Sequence, residues 1–245
     1  MFENLKNNID YLLREQFHFS RKNYLEINEE KDEINPLEKQ LIDKYKLSDY
    51  RNNSTYSNYY QNLYLLNLLD KYFEISQSKN VDALDIGSKN WYYAQAMHSY
   101  YKKYSTTFTL DGVELDAHRL YSNFYNREEV AKYYIKNLNE VNYIKGNLLN
   151  INKSYDYITW ILPFVVIQPL RCWGLPDKYF EPEKLFNHAY SLLKENGKMF
   201  IINQTEPELK AQLNIIGNMQ LRIIELDNKF YNYKNKRYLT IIEKS

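Results

Sequence analysis

With 32 Lys+Arg against 31 Asp+Glu, the 245-residue chain carries a formal charge of +1, so no global field draws it to nucleic acid or to an anionic lipid surface. A lone cysteine, Cys172, excludes an intrachain disulfide and any multi-cysteine zinc site, and it suits a reducing cytoplasm. The length accommodates one sizeable α/β domain plus an appendage.

The opening residues, Met1-Phe2-Glu3-Asn4-Leu5-Lys6, lack a basic stretch followed by an apolar block, so no signal peptide is expected. Phe2, Leu5, Ile9, Leu12 and Leu13 recur at helical spacing, as do Leu37, Leu41, Ile42 and Tyr45. Between them the charged stretch from Glu26 to Glu33 holds little to bury and reads as loop. Asn35-Pro36 suits a helix entry, because proline is tolerated at the first helical position. A third helix is expected from Ser54 or Thr55 to Phe73, with Tyr59, Leu63, Leu66, Leu69 and Phe73 facing inward. Residues 1–80 read as a helical cap or extension with no strand.

From Val81 onward strands and helices alternate. Val81–Ile86 reads as strand, Trp91–Tyr104 as helix, Phe108–Glu114 as strand and Ala117–Ile135 as helix. Val141–Ile144 and Tyr155–Leu162 read as strands, and Glu183–Leu193 as helix. The turn Glu195-Asn196-Gly197 then leads into the strand Lys198–Asn203, and Glu206–Ile216 is helical. Leu221–Leu226 and Tyr238–Ile242 are joined through polar Asn228 to Lys236, too short for a crossover helix, so an antiparallel pair is expected. The alternation predicts a mostly parallel Rossmann-like sheet with helices on both faces and a C-terminal antiparallel hairpin over residues 81–245. The longest apolar run, Tyr157 to Ile167, falls short of the roughly 20 residues needed to span a bilayer and contains Pro163. A cytoplasmic protein without membrane association is expected. The 26 tyrosines are spread along the whole chain, which fits aromatic core work better than one stacking surface.

Two runs carry the chemistry. Val81-Asp82-Ala83-Leu84-Asp85-Ile86-Gly87 is an apolar strand ending in an acid and a glycine. Thr109-Leu110-Asp111-Gly112-Val113-Glu114-Leu115-Asp116 is a second apolar strand ending in acids. Gly87 lets the backbone approach a ligand or turn with positive φ. Glu114, at a strand's carboxyl end, can accept from two hydroxyls of a ribose. Asn147 can donate and accept toward an adenine edge, and a helix starting after Asn90 would point backbone N–H groups at an anion over the turn.

In this order the runs resemble the class I S-adenosylmethionine-dependent methyltransferase superfamily. Leu84-Asp85-Ile86-Gly87 looks like its first motif, Gly112 to Asp116 like the end of its second strand, and Lys145-Gly146-Asn147-Leu148 like the end of its third. Tyr155 to Trp160 looks like the fourth strand, beside the transferable methyl, and Leu192 to Ile201 like the helix, glycine turn and fifth strand. The resemblance implies cofactor contacts from Asp85, Gly87, Ser88, Glu114, Leu115, Asn147, Leu148 and Trp160. It departs from the family at Lys89 and Trp91, which stand near where later glycines of the first motif fall. Lys89 could pair with the cofactor carboxylate, whereas Trp91 could fill the pocket.

After the fourth strand, Ile161 to Pro176 has no Asn-Pro-Pro-aromatic motif, which argues against a nucleobase amine as acceptor. Its Pro, Gly, Trp and Arg predict a rigid loop over the sheet's carboxyl edge, and the resemblance implies that this segment borders the acceptor, with Pro163, Phe164, Arg171 and Trp173 as substrate contacts. Arg171 and Trp173 suit an anionic or planar acceptor, or equally an anchored loop with a surface arginine. His18, His98, His118 and His188 offer no metal pair, no HExxH is present, and no Walker-type phosphate loop occurs. Cys172 lacks the setting of a nucleophile. The function expected is an S-adenosylmethionine-dependent methyltransferase, its acceptor (small molecule or protein), general base and oligomeric state unassigned. The alternatives are a non-catalytic interaction module of the same fold with a blocked cofactor site, and an NAD enzyme, whose glycine fingerprint is poorer still.

Overall fold

Helices precede strands, as the apolar spacing of the first residues predicts. A computed structural model of the chain describes residues 2–17, 24–75, 78–227, 230–231 and 236–244. His18 and most of the predicted connection from Asn228 to Lys236 lie outside the described residues. The elements are α1 (Phe2–Gln16), α2 (Pro36–Tyr45), α3 (Ser48–Asn52), α4 (Tyr56–Tyr72), β1 (Ser78–Ile86), α5 (Ala94–Tyr104), β2 (Ser105–Glu114), α6 (Arg127–Ile135), β3 (Val141–Lys145), β4 (Tyr155–Ile161), α7 (Ile167–Cys172), α8 (Pro182–Leu192), β5 (Leu193–Asn203), α9 (Glu206–Ile216), β6 (Leu221–Leu226) and β7 (Arg237–Glu243), with single 3₁₀ turns at Leu148–Asn150 and Asp177–Tyr179.

The strands form one seven-stranded sheet in the order β3-β2-β1-β4-β5-β7-β6. The first five run parallel, and β7 pairs antiparallel with both β5 and β6, which completes the expected C-terminal hairpin. Because successive side chains alternate across a strand, each strand feeds two cores. Val81 and Ala83 of β1, with Phe200 and Ile202 of β5, pack under α4 and α5 beside Tyr59, Leu63, Phe73 and Tyr101. Leu84, Ile86, Met199 and Ile201 meet Phe186 and Ala189 of α8 on the other face. The order in which strands are added reverses between β1 and β4, which run parallel, and the connections leaving their carboxyl ends diverge to leave a crevice there.

Three local expectations are corrected. The helix expected from Ala117 starts only at Arg127, because Asn126 and Glu129 close a reciprocal capping box there: Asn126 Oδ1 accepts from Glu129 N–H at 2.9 Å and Glu129 Oε2 from Asn126 N–H at 2.8 Å. The helix expected from Trp91 starts at Ala94, because Trp91 has φ of +45°. The expected rigid loop after β4 contains α7.

The first helix forms as its spacing predicts, with its apolar stripe outward. Phe2 is 88% exposed, and Leu5, Ile9, Leu12 and Leu13 are each about half exposed. The face that docks is polar, made of Asn4, Asn7, Tyr11 and Arg14 at helical spacing. Asn7 Nδ2 donates to the carbonyls of Arg171 (3.1 Å) and Leu175 (3.3 Å), and Asn4 Oδ1 accepts from Asp177 N–H at 2.9 Å. Arg14 donates to the Gly174 carbonyl at 2.8 Å and pairs with Asp116 at 2.7 Å. Docking therefore supplies side-chain donors to the Gly174 and Leu175 carbonyls and a second donor to that of Arg171.

Candidate functional site

Five strand ends converge on one cleft of about 270 Å³. Gly87 follows β1, Glu114 ends β2, Gly146 and Asn147 follow β3, Trp160 to Leu162 close β4, and Gln204 follows β5. The segment around α7 and residues 173–175 overhangs it, and α9 contributes Glu208 and Gln212.

The turn after β1 keeps a glycine-like backbone with only one glycine in it. Gly87, Lys89 and Trp91 have φ of +70°, +57° and +45°. Left-handed backbone at a side-chain-bearing residue costs about 1–2 kcal/mol, so packing must hold it. The Gly87 and Ser88 N–H groups both donate to the Val113 carbonyl (2.9 and 3.1 Å), Lys89 N–H donates to Glu114 Oε2 (2.9 Å), and Trp91 N–H donates to the Ser88 carbonyl (2.8 Å). Tyr143 OH donates to the Lys89 carbonyl at 2.5 Å. The Trp91 indole is fully buried against β2, where a Cβ added to Gly112 would lie 2.7 Å from it. Trp91 is thus part of the core floor and does not line the cleft. A side chain added at Gly87 would meet nothing within 4 Å, so that backbone faces open space.

Glu114 is held by three donors from its own chain. Its Oε1 accepts from Asp116 N–H at 2.9 Å and from Arg127 Nη1 at 2.7 Å, and its Oε2 accepts from Lys89 N–H. A carboxylate offers about four lone-pair positions, so one, on Oε2, is left for a ligand hydroxyl. That leaves Glu114 room for one further donor, where the sequence suggested an acceptor for two. Asp116, fully buried, is surrounded by Arg14 at 2.7 Å, Arg119 at 3.5 Å and Arg127 at 3.7 Å. These pairs fix the loop after β2 beside the cleft.

Of the residues expected to contact cofactor, Gly87, Glu114, Leu115, Asn147, Leu148 and Trp160 line the cleft together. Asn147 caps the following 3₁₀ turn, its Oδ1 accepting from Leu149 N–H at 3.0 Å, which fixes the amide's orientation. Asp85 and Ser88 are fully buried beneath the floor and do not line it. Asp85 accepts from Thr159 Oγ1 at 2.7 Å and Tyr93 OH at 2.8 Å, and burial pushes its carboxyl up to about 7. Among the expected substrate contacts, Pro163, Phe164 and Trp173 line the cleft. Arg171 does not: it forms a bidentate pair with Asp177 at 2.9 and 2.7 Å.

Lys89 lines the cleft, with Nζ 4.8 Å from the Trp173 ring centroid and the Arg127 guanidinium at 5.2 Å from the same ring. Burial and the neighbouring Arg127 lower the Lys89 pKa against the opposing pull of Glu114. None of the described histidines lines the cleft. His98 is packed edge-on against Phe108, and burial lowers its pKa to about 4. His188 Nε2 lies 3.0 Å from the Ile151 carbonyl. Cys172 is free and exposed, and among the described residues no cluster of His, Cys, Asp and Glu could hold a metal.

Sequence reasoning missed Arg127, Tyr92, Tyr93, Gln204, Glu208 and Gln212, all of which line the cleft. The last three recur every fourth residue into a predicted helix, a polar stripe that could have been noticed. Nothing local to Arg127 signals its partner.

No family model matches the chain, and no curated protein matches it. Solved structures do. A SAM-dependent methyltransferase from Aquifex aeolicus aligns with TM-score 0.53 and 13% identity over 75% of this chain and 92% of its own. A precorrin-6y C5,15-methyltransferase from Geobacter metallireducens aligns with TM-score 0.50 and 12% identity over 75% and 87%. A methyltransferase from Pyrococcus furiosus aligns with TM-score 0.50 and 18% identity over 76% and 83%. The likeness shows the fold: this chain has the class I S-adenosylmethionine-dependent methyltransferase fold.

Proposed function

We propose that the chain is an S-adenosylmethionine-dependent methyltransferase. One observation carries the reading: an open cleft at the switch point between β1 and β4 brings Gly87, Glu114 and Asn147 together while Trp91 is folded away beneath Gly112. A site plugged by Trp91 would need that indole in the cleft, and it is in the core.

The residues present fit the cofactor. The remaining lone pair of Glu114 Oε2 would take one ribose hydroxyl, and Leu115 and Leu148 would give the adenine apolar contacts, with the Asn147 amide at its edge. The unobstructed backbone at Gly87 would face the amino acid part, with Lys89 as the cation for its carboxylate. When bound, the cofactor supplies a methyl group on a sulfonium, open to in-line displacement by an acceptor lone pair. The chain's task is then alignment and exclusion of water. The loop capped by Trp173 covers the cleft on the side of Glu114 and Lys89, with Lys89 and Arg127 packed against its indole.

Titration calorimetry with S-adenosylhomocysteine and the full chain tests this directly. Micromolar binding is expected, and the absence of heat at high micromolar ligand in a folded sample would sink the reading.

A further inference from the structure

The β5 end of the cleft has a chemistry of its own. Gln204, Glu208 and Gln212 line it, the last two one helical turn apart on α9. Gln212 is 1% exposed, and its Oε1 has no hydrogen-bond partner among the described residues. A buried acceptor without a donor destabilises the fold, and a ligand N–H or O–H would recover that loss. Glu208 spends Oε2 on the Gln204 N–H at 2.8 Å and brings its negative charge to the same wall. Phe164, Tyr179 and Leu185 give the same cleft an aromatic and apolar lining. Among the described residues that line the cleft, the cations are Lys89 and Arg127, and both are engaged with Trp173 on the Glu114 side.

We infer that this end of the cleft binds a small molecule with a planar or apolar body that presents an amino or hydroxyl donor, neutral or cationic, to Gln212 and Glu208. A carboxylate or phosphate there would face Glu208 with no cation to offset it. This places the anion-directed expectation for Arg171 elsewhere, since that side chain is committed to Asp177. The identification of this molecule as the methyl acceptor rests on the proposed function; its binding does not.

The test is calorimetry on the full chain with tyramine, 4-aminophenol and phenol against benzoate and phenyl phosphate, with and without S-adenosylhomocysteine. The donor-bearing amines and phenols are expected to bind and the two anions not to. Gln212→Leu should weaken them about tenfold, the loss expected for one buried hydrogen bond, with S-adenosylhomocysteine binding unchanged. Should Gln212→Leu fail to fold, Glu208→Gln, at a half-buried site, should weaken tyramine more than phenol. Binding of no donor, comparable binding of benzoate or phenyl phosphate, or unaltered tyramine binding by the folded variants would overturn the inference. Amine binding without S-adenosylhomocysteine binding would sink the methyltransferase reading and leave this site standing. Homocysteine-cofactor binding without amine binding would do the reverse.

Discussion

Glu114 shows how one side chain can serve both a ligand and its own loop. Its carboxylate accepts from the buried Arg127 guanidinium at 2.7 Å and also orders the Lys89 and Asp116 amides. Removing it leaves a buried cation whose remaining anion, Asp116, is 3.7 Å away. Glu114→Ala should therefore weaken S-adenosylhomocysteine binding and also lower folding stability by about 3 kcal/mol, the low end for breaking a buried pair, as read by urea unfolding. A variant that lost binding with an unchanged unfolding midpoint would contradict this account of Arg127. The ribose-type acid was legible in the sequence because a strand end is a local pattern. Arg127 was not, because its partner lies 13 residues away across an unpredicted loop. The same limit applies at Lys89 and Trp91: their identities suggest a lost glycine motif, yet their backbones keep the glycine-like conformation. Gly112→Ala tests how it is kept. Its new Cβ would press on the Trp91 ring at 2.7 Å, so both the melting temperature and cofactor binding should fall. A melting curve and affinity like wild type would show that Trp91 does not brace the turn.

At the scale of elements, α1 inverts the usual rule that an amphipathic helix buries its apolar stripe. The helix itself was legible from the spacing of Phe2, Leu5, Ile9, Leu12 and Leu13. Its orientation was not, because what decides it is a row of carbonyls at Arg171, Gly174 and Leu175 and the Asp116 carboxylate. Those groups cluster only after the segment following β4 has folded into α7 instead of the expected loop. The polar face should thus carry the docking energy. Arg14→Ala breaks a pair with a fully buried carboxylate and should destabilise the chain and weaken ligand binding, through loosening of residues 173–175 over the cleft. Ile9→Glu, on the exposed stripe, should change neither. Limited proteolysis with and without S-adenosylhomocysteine reads both variants, and an Ile9→Glu chain cleaved faster than Arg14→Ala would reverse the assignment of faces. α6 teaches the same lesson from its start: an Asn126–Glu129 box outweighed the apolar run that suggested a longer helix.

For the whole molecule, alternating strands and helices made the parallel sheet and terminal hairpin legible, whereas the strand order and the crevice it opens between β1 and β4 depend on long-range pairing. That pairing also fixes the pH response, because it buries Asp85 at the centre of the sheet, opposite Thr159 of β4. Burial raises the Asp85 carboxyl from 3.8 to about 7, so the folded chain holds a proton that the unfolded chain has released. Its stabilising contribution is complete below pH 3.8 and is lost as pH rises through 7, at up to about 1.4 kcal/mol per pH unit. His98 acts in the opposite sense. Its pKa falls from 6.5 to about 4, so its contribution is complete above pH 6.5 and is lost as pH falls toward 4. Between pH 4 and pH 6.5 the two oppose each other, and stability should vary little with pH on their account. Asp85→Asn removes one side of that balance while keeping the size of the group and its neutral form. Relative to wild type, the variant should gain stability steadily as pH is raised from 4 to 7, with the gap closing again in acid. Urea unfolding at half-unit pH steps measures that difference. A gap independent of pH would mean that Asp85 is ionised in the folded chain, with Thr159 and Tyr93 stabilising the carboxylate enough to offset its burial.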